Sequence, residues 1–426
     1  MSSAIVIAVN IALAAFLAVG LTPVFVWWER RVSGFMQDRT GPNRCGIGPI
    51  RLGGLIQSFA DMLKLVFKED FTPSHIKYKF FFTIAPVIVF FCSFLTFATI
   101  PFADNLVIDG HSFIMSAIPN ELGIMWFLAF AGLSIYGIIL GGYSSNSKYG
   151  LLGSIRAAAQ VISYEAAMAL AIISMLLSYG SIHLTDIVNA QAGTFFGVIP
   201  MWGIFIQPIA AIIFIVCCFA ETNRAPFDIA EGESEIVAGY HTEYSAMRFG
   251  LFQVGEYAAM SASAAIIVTL VFGGYQIPWL DTAAVQNNLD YIMMAMIVIL
   301  PIKAYFITAW MKKNNKSKDV NDKSRDTETK ILSIAFWVLS LGVAILLAIF
   351  LVVGLGENGV NIATAVLQIG TFLVKFFMMA FVFIWIRWTV LRFRYDQLQM
   401  LGWKVLLPLA LLNIVVTATF IVVQGS

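Results

Sequence analysis

Charge is scarce in this sequence. Only 12% of its 426 residues are Asp, Glu, Lys or Arg, where an ordinary soluble domain carries about 25%. Histidine and cysteine each occur four times. The cysteines, Cys45, Cys92, Cys217 and Cys218, form no C-x-x-C pair. That spacing argues against an iron–sulfur cluster or structural zinc held by this chain alone, and no metal site is expected; the thiols read as packing groups. No polar stretch is long enough to build a soluble domain. The net charge of +1 is uninformative, and no nucleic-acid partner is expected.

What is abundant is apolar residue, 59% of the chain. Crossing the hydrocarbon core of a bilayer takes roughly 20 apolar residues at helical rise. Ten segments qualify, at about 4–28, 80–100, 122–142, 155–179, 199–219, 247–272, 290–311, 331–354, 366–388 and 403–423. A β-barrel is excluded, because its strands run about ten residues and alternate in polarity. The expected fold is all-α: a single polytopic membrane domain of about ten transmembrane helices. The first segment lacks a basic flank and exceeds a signal-peptide core, so it reads as a retained helix.

The distribution of charge gives an orientation, since cationic residues favour cytoplasmic loops. With the amino terminus outside, the external loops are 101–121, 180–198, 273–289 and 354–365, and none contains Lys or Arg. Of the 26 cationic residues, all but Lys303 and Lys375 fall in internal loops or at the internal ends of helices.

Residues 54–68, "GLIQSFADMLKLVFK", set Leu55, Ile56, Phe59, Met62, Leu63, Val66 and Phe67 at three- and four-residue steps, with Gln57, Asp61, Lys64 and Lys68 elsewhere. This is an amphipathic helix too short to span and suited to the membrane interface. It reads either as a surface anchor or as one wall of an opening through which an amphiphile enters. The mixed-charge run 312–330 reads as a solvated internal loop, so the glycosylation sequon at Asn315 carries no meaning there. "GLGENG" at 354–359 matches G-x-G-x-x-G but ends a membrane helix, without the strand a dinucleotide fingerprint needs.

The remaining charges demand explanation. An ionisable residue inside the membrane costs roughly 2.5–3.5 kcal/mol at a helix centre, so each is a functional candidate by default. Glu165 lies halfway along the fourth segment, with Arg156 nine residues earlier near its internal end, and Glu256 lies in the sixth. Lys375 and Lys303 interrupt two more, and Lys303 reads best as a buried ion pair that orders helices. The loop 220–245, "AETNRAPFDIAEGESEIVAGYHTEYS", adds Glu221, Asp228, Glu231, Glu233, Glu235 and Glu243, with Arg224 the one cation before Arg248. If its middle is helical, Glu231 and Glu235 share a face. Close carboxylates raise one another's pKa and exchange protons. Because the acids are interleaved with Phe227, Ile229, Ile236 and Val237, we read the loop as a partly buried, proton-loadable cluster rather than a solvated acidic patch. The first internal loop opposes it with Arg30, Arg31, Arg39, Arg44 and Arg51. These read as topology signals or as the wall of a polar chamber at the membrane face.

The stretches "ERRVSGFMQDRTGPN", "LIQSFADMLKLVFKED", "GLLGSIRAAAQVISYE", the acidic loop, and "RFRYDQLQMLGWKVLLPLAL" resemble the H-type membrane subunit family of respiratory complex I, equivalent to the mitochondrial first membrane subunit. The resemblance runs from the first helix to the last. It implies a protein of a bacterial inner membrane that forms the membrane end of a quinone chamber at the junction with the redox arm. It implies Arg30, Arg39, Asp61 and Lys64 as chamber or entry residues in the 29–79 loop, joined by Arg224, Phe227 and Asp228. It further implies a carboxylate path through Glu165, Glu221, Glu231, Glu233, Glu235, Glu243 and Glu256. Quinone is then the substrate, and NADH, flavin and iron–sulfur clusters belong to partner subunits, so the chain alone is expected to be inactive. Membrane lipid and the other membrane and peripheral-arm subunits are the expected partners.

Two departures stand out. The family generally has eight spanning helices, and residues 281–365 add an inserted pair joined by the charged loop 312–330. The family also often has a proline where this chain has Leu391, which questions the bend after the ninth helix. Two other readings compete: the homologous component of a membrane-bound hydrogenase or deazaflavin-linked dehydrogenase, and a stand-alone carboxylate-coupled transporter. The second lacks the internal repeat usual in transporters.

Overall fold

The computed structural model describes residues 3–48, 50–118, 122–195, 197–314 and 324–425. Among them are nine helices long and apolar enough to cross a membrane. In chain order these and two further helices are α1 (Ala4–Met36), α2 (Leu55–Phe67, the amphipathic helix), α3 (Lys79–Thr99), α4 (Gly123–Ser144), α5 (Lys148–Tyr179), α6 (Pro208–Glu221), α7 (Ala246–Val271), α8 (Leu289–Lys313), α9 (Asp326–Val353), α10 (Glu357–Thr389) and α11 (Tyr395–Val423). The protein is an all-α polytopic membrane protein. Its strands among the described residues form two small hairpins, Leu106–Ile108 with His111–Phe113 and Thr194–Phe195 with Ile199–Pro200.

The fifth expected span, 199–219, differs from the others. It is a turn of helix, Gly203–Ile206, followed by the 14-residue α6. The break falls at Gln207, whose φ of −132° and ψ of 66° leave the helix, and Pro208 restarts it at a position where no amide proton is needed. A broken helix within an apolar bundle leaves polar groups to satisfy. The Gln207 amide nitrogen donates to Ser178 (2.7 Å) and Thr417 (3.0 Å), and its oxygen accepts from Asn413 (3.1 Å).

α7 is the axis of the bundle, with 83% of its most apolar stretch buried. Its run of Gly, Ala and Ser lets neighbouring backbones approach closely, the usual basis of helix association in membranes. On the α3–α4 contact the same device is sharper: a Cβ on Gly137 would lie 2.8 Å from the carbonyl of Ala85. By contrast, α8 and α9 pack on one another outside the bundle, with only 17% and 6% of their most apolar stretches buried. They occupy the stretch 281–365 that the sequence reading takes as an added pair; residues 315–323 of the charged loop between them, sequon included, lie outside the described residues.

The four loops free of Lys and Arg converge at one end of the bundle. Asp104 accepts from Thr282 (2.8 Å) and Asn189 (3.3 Å), and Asn358 donates to Asp109 (2.6 Å). The charged loops converge at the other, where Arg248 meets Asp70 (3.0 Å) and Arg156 meets Glu235 (2.7 Å). The bend after α10 forms without a proline. The helix stops at Thr389, Val390 is extended, Leu391 is exposed, and the amide of Phe393 donates to the carbonyl of Pro226 (3.1 Å).

Candidate functional site

At the charged end, a cavity of about 760 Å³ opens between the second half of α1, the inner face of α2, the first half of α7 and the end of α10. Arg30, Arg39 and Asp61 line it, with Glu29, Glu231 and His241 deeper in the same wall. The Asp61 carboxylate is ion-paired with Arg30 and accepts from Gln57 (2.8 Å); Lys64, largely exposed, lies 4.0 Å away. α2 presents Phe59, Leu63, Val66 and Phe67 outward. The expected amphipathic helix therefore borders the opening, with its apolar face free to meet acyl chains.

Behind the cavity sits a buried ionic group. The Glu29 carboxylate accepts from Arg387 (2.6 Å), from Arg224 (3.2 Å) and from the Tyr257 hydroxyl (2.9 Å). The Arg224 guanidinium also lies 3.9 Å over the Tyr257 ring, a favourable cation–π placement. Two guanidinium groups thus share one carboxylate in a water-poor site. Arg224 reaches it because α6 ends at Glu221 and the chain turns sharply through Asn223, at φ 50°.

The acids form two groups rather than one run. In the first, the Asp228 carboxylate caps the amide of Glu231 (3.3 Å) and faces Arg392 (3.9 Å). Glu231 lies close enough to Glu256 on α7 for their charges to interact, and Glu256 accepts from the Tyr240 hydroxyl (2.9 Å). Two carboxyl groups held near one another away from water favour a single proton on the pair. His241 stands 3.6 Å from Glu231. Burial pushes Asp228 up to about 6, against the lowering effect of Arg392 and with a further push from Glu256. Burial likewise raises Glu231. In the second group, Glu165 and Glu221 line one small cavity with Tyr164, Met168 and Cys217. Gly132 on α4 makes the room: a Cβ there would lie 2.7 Å from the Glu165 carboxylate.

The other expected acids turn elsewhere. Glu235 is half-exposed and paired with Arg156 (2.7 Å), and Glu243 faces His75 (3.6 Å). Glu231 and Glu235 do not share a helical face. The helix there is only Glu233–Ile236, opened by Gly232 in a left-handed conformation (φ 34°), so Glu231 precedes it and turns inward. The side chain of Glu233 lies outside the described residues. Phe227 packs against Tyr164 (5.7 Å) and Phe393 (5.5 Å) behind the cavity. Lys375 caps the far end of α7, donating to the carbonyls of Phe272, Gly274 and Gln276 at 2.7–3.0 Å. Lys303 is not a buried ion pair. It is exposed on α8, because the extra pair stands outside the bundle and offers it no facing helix.

The family model for NADH dehydrogenase matches residues 8–314 and 329–418. The NADH-quinone oxidoreductase H subunit of Flavobacterium psychrophilum is 36% identical over 419 residues, covering 98% of both chains. The H subunit of Salinibacter ruber is 38% identical over 97% of both, and NADH-quinone oxidoreductase subunit 8 of Rhodothermus marinus 38% over 96% of both. The chain belongs to the H-type membrane subunit family of NADH-quinone oxidoreductase. Near-complete coverage in both directions means that these relatives match the chain in length as well as sequence.

In this family member, sequence reasoning missed Glu29, Arg387, Arg392, Tyr257, Tyr240 and His241. Glu29 opens the motif "ERRVSG", but it abuts two arginines and passes as part of a topology signal. Tyr240 and His241 sit inside the acidic loop, where its carboxylates draw the eye. Arg387 had the clearest signal, a cation inside "FIWIRWTV" at the end of an apolar run.

Proposed function

We propose that the chain is the membrane subunit of a proton-translocating NADH–quinone oxidoreductase. In this reading it forms the membrane part of the quinone chamber and the start of the carboxylate path that couples quinone reduction to proton pumping. One observation carries it: the cavity beside α2 holds Arg30, Arg39 and Asp61 on its wall and Glu231 farther in, with Glu231 adjoining Glu256 on α7. A quinone is an amphiphile, and a space walled by charge but bordered by an exposed apolar helix face suits a polar head and an apolar tail. Its reduction consumes two electrons and two protons. A carboxyl pair that holds one proton can pass it to the chamber, and the two bare charges then left side by side draw in the proton that refills it. Glu165 and Glu221 form the next station inward.

Hydride and electron chemistry belongs to cofactors, NADH, flavin and iron–sulfur clusters, housed in partner subunits. The remainder of the chamber is supplied by a soluble partner at the charged end. That end faces the cytoplasm of a bacterial inner membrane and the amino terminus faces out, in keeping with the loops free of Lys and Arg.

The test is to purify the tagged chain in mild detergent with its partners and assay NADH-dependent quinone reduction with and without Asp61→Asn. A large assembly whose quinone reduction falls at least about tenfold in the variant is the expected result. An assembly that turns over hydrogen and ignores NADH assigns the chain to the hydrogenase relatives instead. Recovery of the chain alone and stable overturns the partner-dependent reading.

A further inference from the structure

The α8–α9 pair takes no part in lining the chamber, yet one of its side chains reaches the chamber's mouth. Glu328, near the start of α9, is only 5% exposed. Its carboxylate accepts hydrogen bonds from two consecutive backbone amides in the first internal loop, those of Arg51 (3.0 Å) and Leu52 (2.6 Å). The backbone there explains why. Arg51 is right-handed and Leu52 left-handed at φ 47°, followed by Gly53 at 61° and Gly54 at 92°. A right-handed then left-handed pair turns successive N–H groups toward one point, a concave nest that holds an anion. Gly54 has no alternative residue, since a Cβ would lie 2.1 Å from the carbonyl of Pro42. From α1, the Trp27 indole donates to the Gly53 carbonyl (3.0 Å).

The turn is therefore tied to α1 and to α9, and α2 begins at the next residue. α2 supplies Ser58, Asp61, Met62 and Leu65 to the cavity wall, while its outer face is unpacked. An interfacial helix of this kind takes its position largely from how its ends are tied. We propose that Glu328 is a positioning residue for quinone entry, which through the Arg51–Leu52 nest fixes where α2 starts and hence the width of the opening. The α8–α9 pair then acts as a strut for the mouth of the chamber. This inference rests on the quinone-chamber reading above.

The experiment uses membranes containing the assembled complex with Glu328→Ala, Glu328→Asp or Asp61→Asn. Quinone reduction is measured with a long-tailed and a short-tailed quinone, normalised to NADH oxidation by a water-soluble acceptor that bypasses the chamber. Only the long tail must thread past α2. Glu328→Ala is expected to raise KM for the long-tailed quinone about three- to tenfold, with kcat and the short-tailed KM changed by less than about twofold. Fewer assembled complexes with unchanged KM values would mean a purely structural role and overturn the proposal. If Glu328→Ala prevents assembly, Glu328→Asp decides: its carboxylate is one methylene short of the nest, so a raised long-tail KM supports the strut and a wild-type KM refutes it. Asp61→Asn separates the two readings. Should it spare both quinones, the chamber assignment fails; should it impair both while Glu328→Ala is silent, only the strut fails.

Discussion

Replacing Glu29 by Gln removes the negative charge that two guanidinium groups share, and the structure sets the size of the effect. At 3.2 Å, a pair in a medium of effective dielectric about 20 interacts by roughly 5 kcal/mol. Measured losses on orphaning one member of a buried pair run about 3–5 kcal/mol. Arg387 is 28% exposed and recovers part of its loss from water, whereas Arg224 is 5% exposed and does not. Gln preserves the shape but must turn its amide nitrogen toward one of the donors it formerly accepted from. We expect about 3 kcal/mol of local destabilisation, or roughly a hundredfold faster exchange of the amides over 224–231 in the assembled complex. Hydrogen exchange with mass spectrometry reads this directly. A rate within about threefold of wild type would refute the claim that this pair holds the loop. The triple variant Glu29→Met/Arg224→Met/Arg387→Met is expected to recover most of the protection, since apolar replacement of a whole buried ionic group is often near neutral.

Three further outcomes follow from the same geometry. Arg392 lowers Asp228, whose buried carboxyl lies at about 6. If ionised Asp228 accepts protons during turnover, quinone reduction falls as pH drops through about 6. Arg392→Gln should then move that acid limb to higher pH, and an unmoved pH–rate profile would exclude Asp228 as the titrating group. Gly132→Val sets a branched Cβ 2.7 Å from the Glu165 carboxylate, and is expected to reduce proton pumping in vesicles while quinone reduction persists. Equal loss of both would place Glu165 outside the path. Phe227→Ala empties a pocket between Tyr164 and Phe393 at a cost of about 3–5 kcal/mol, measurable as a lower melting temperature of the complex with little change in the KM for quinone.

Much of this architecture was legible because the bilayer sets a length and the sequence obeys it. α2 was equally plain, since a three-to-four-residue apolar rhythm in a stretch too short to span has few other readings. The break at Gln207–Pro208 was not legible by hydropathy, because apolar character continues across it and only the proline marks the place. The site was half legible. Glu165, Glu256 and the acidic loop stand out because charge is costly in apolar surroundings, but the sorting of the acids into partners could not be foreseen. Glu231 and Glu235 are separated by one left-handed glycine, which sends the first inward to Glu256 and leaves the second at the surface with Arg156. Glu29 and Glu328 were missed for a related reason: their partners lie 195 and 276 or more residues away, and no local pattern encodes such pairings.

The charge arrangement around the cavity bears on the order of events in the proposed reaction. Glu29 and Glu231 line the same space, yet their surroundings are opposite in sign. At Glu29 two guanidinium groups outnumber one carboxylate, a net positive floor. At Glu231 three carboxyl groups, Asp228, Glu231 and Glu256, face Arg392, and even with one proton shared the wall stays net negative. A neutral quinone is indifferent to this field. A quinone that has taken up electrons is not: it is drawn to the Arg224–Arg387 side and held there until protonated. Protonation from the Glu231 side removes a positive charge from the negative wall, which strengthens the pull on the next proton along the path toward Glu256. Proton delivery and refilling are thereby driven by the electrons' arrival rather than by the binding of quinone itself. It follows that Arg387→Gln should slow quinone reduction while leaving the binding of an uncharged quinone analogue unchanged. Equal losses in both would mean that the arginine merely shapes the cavity.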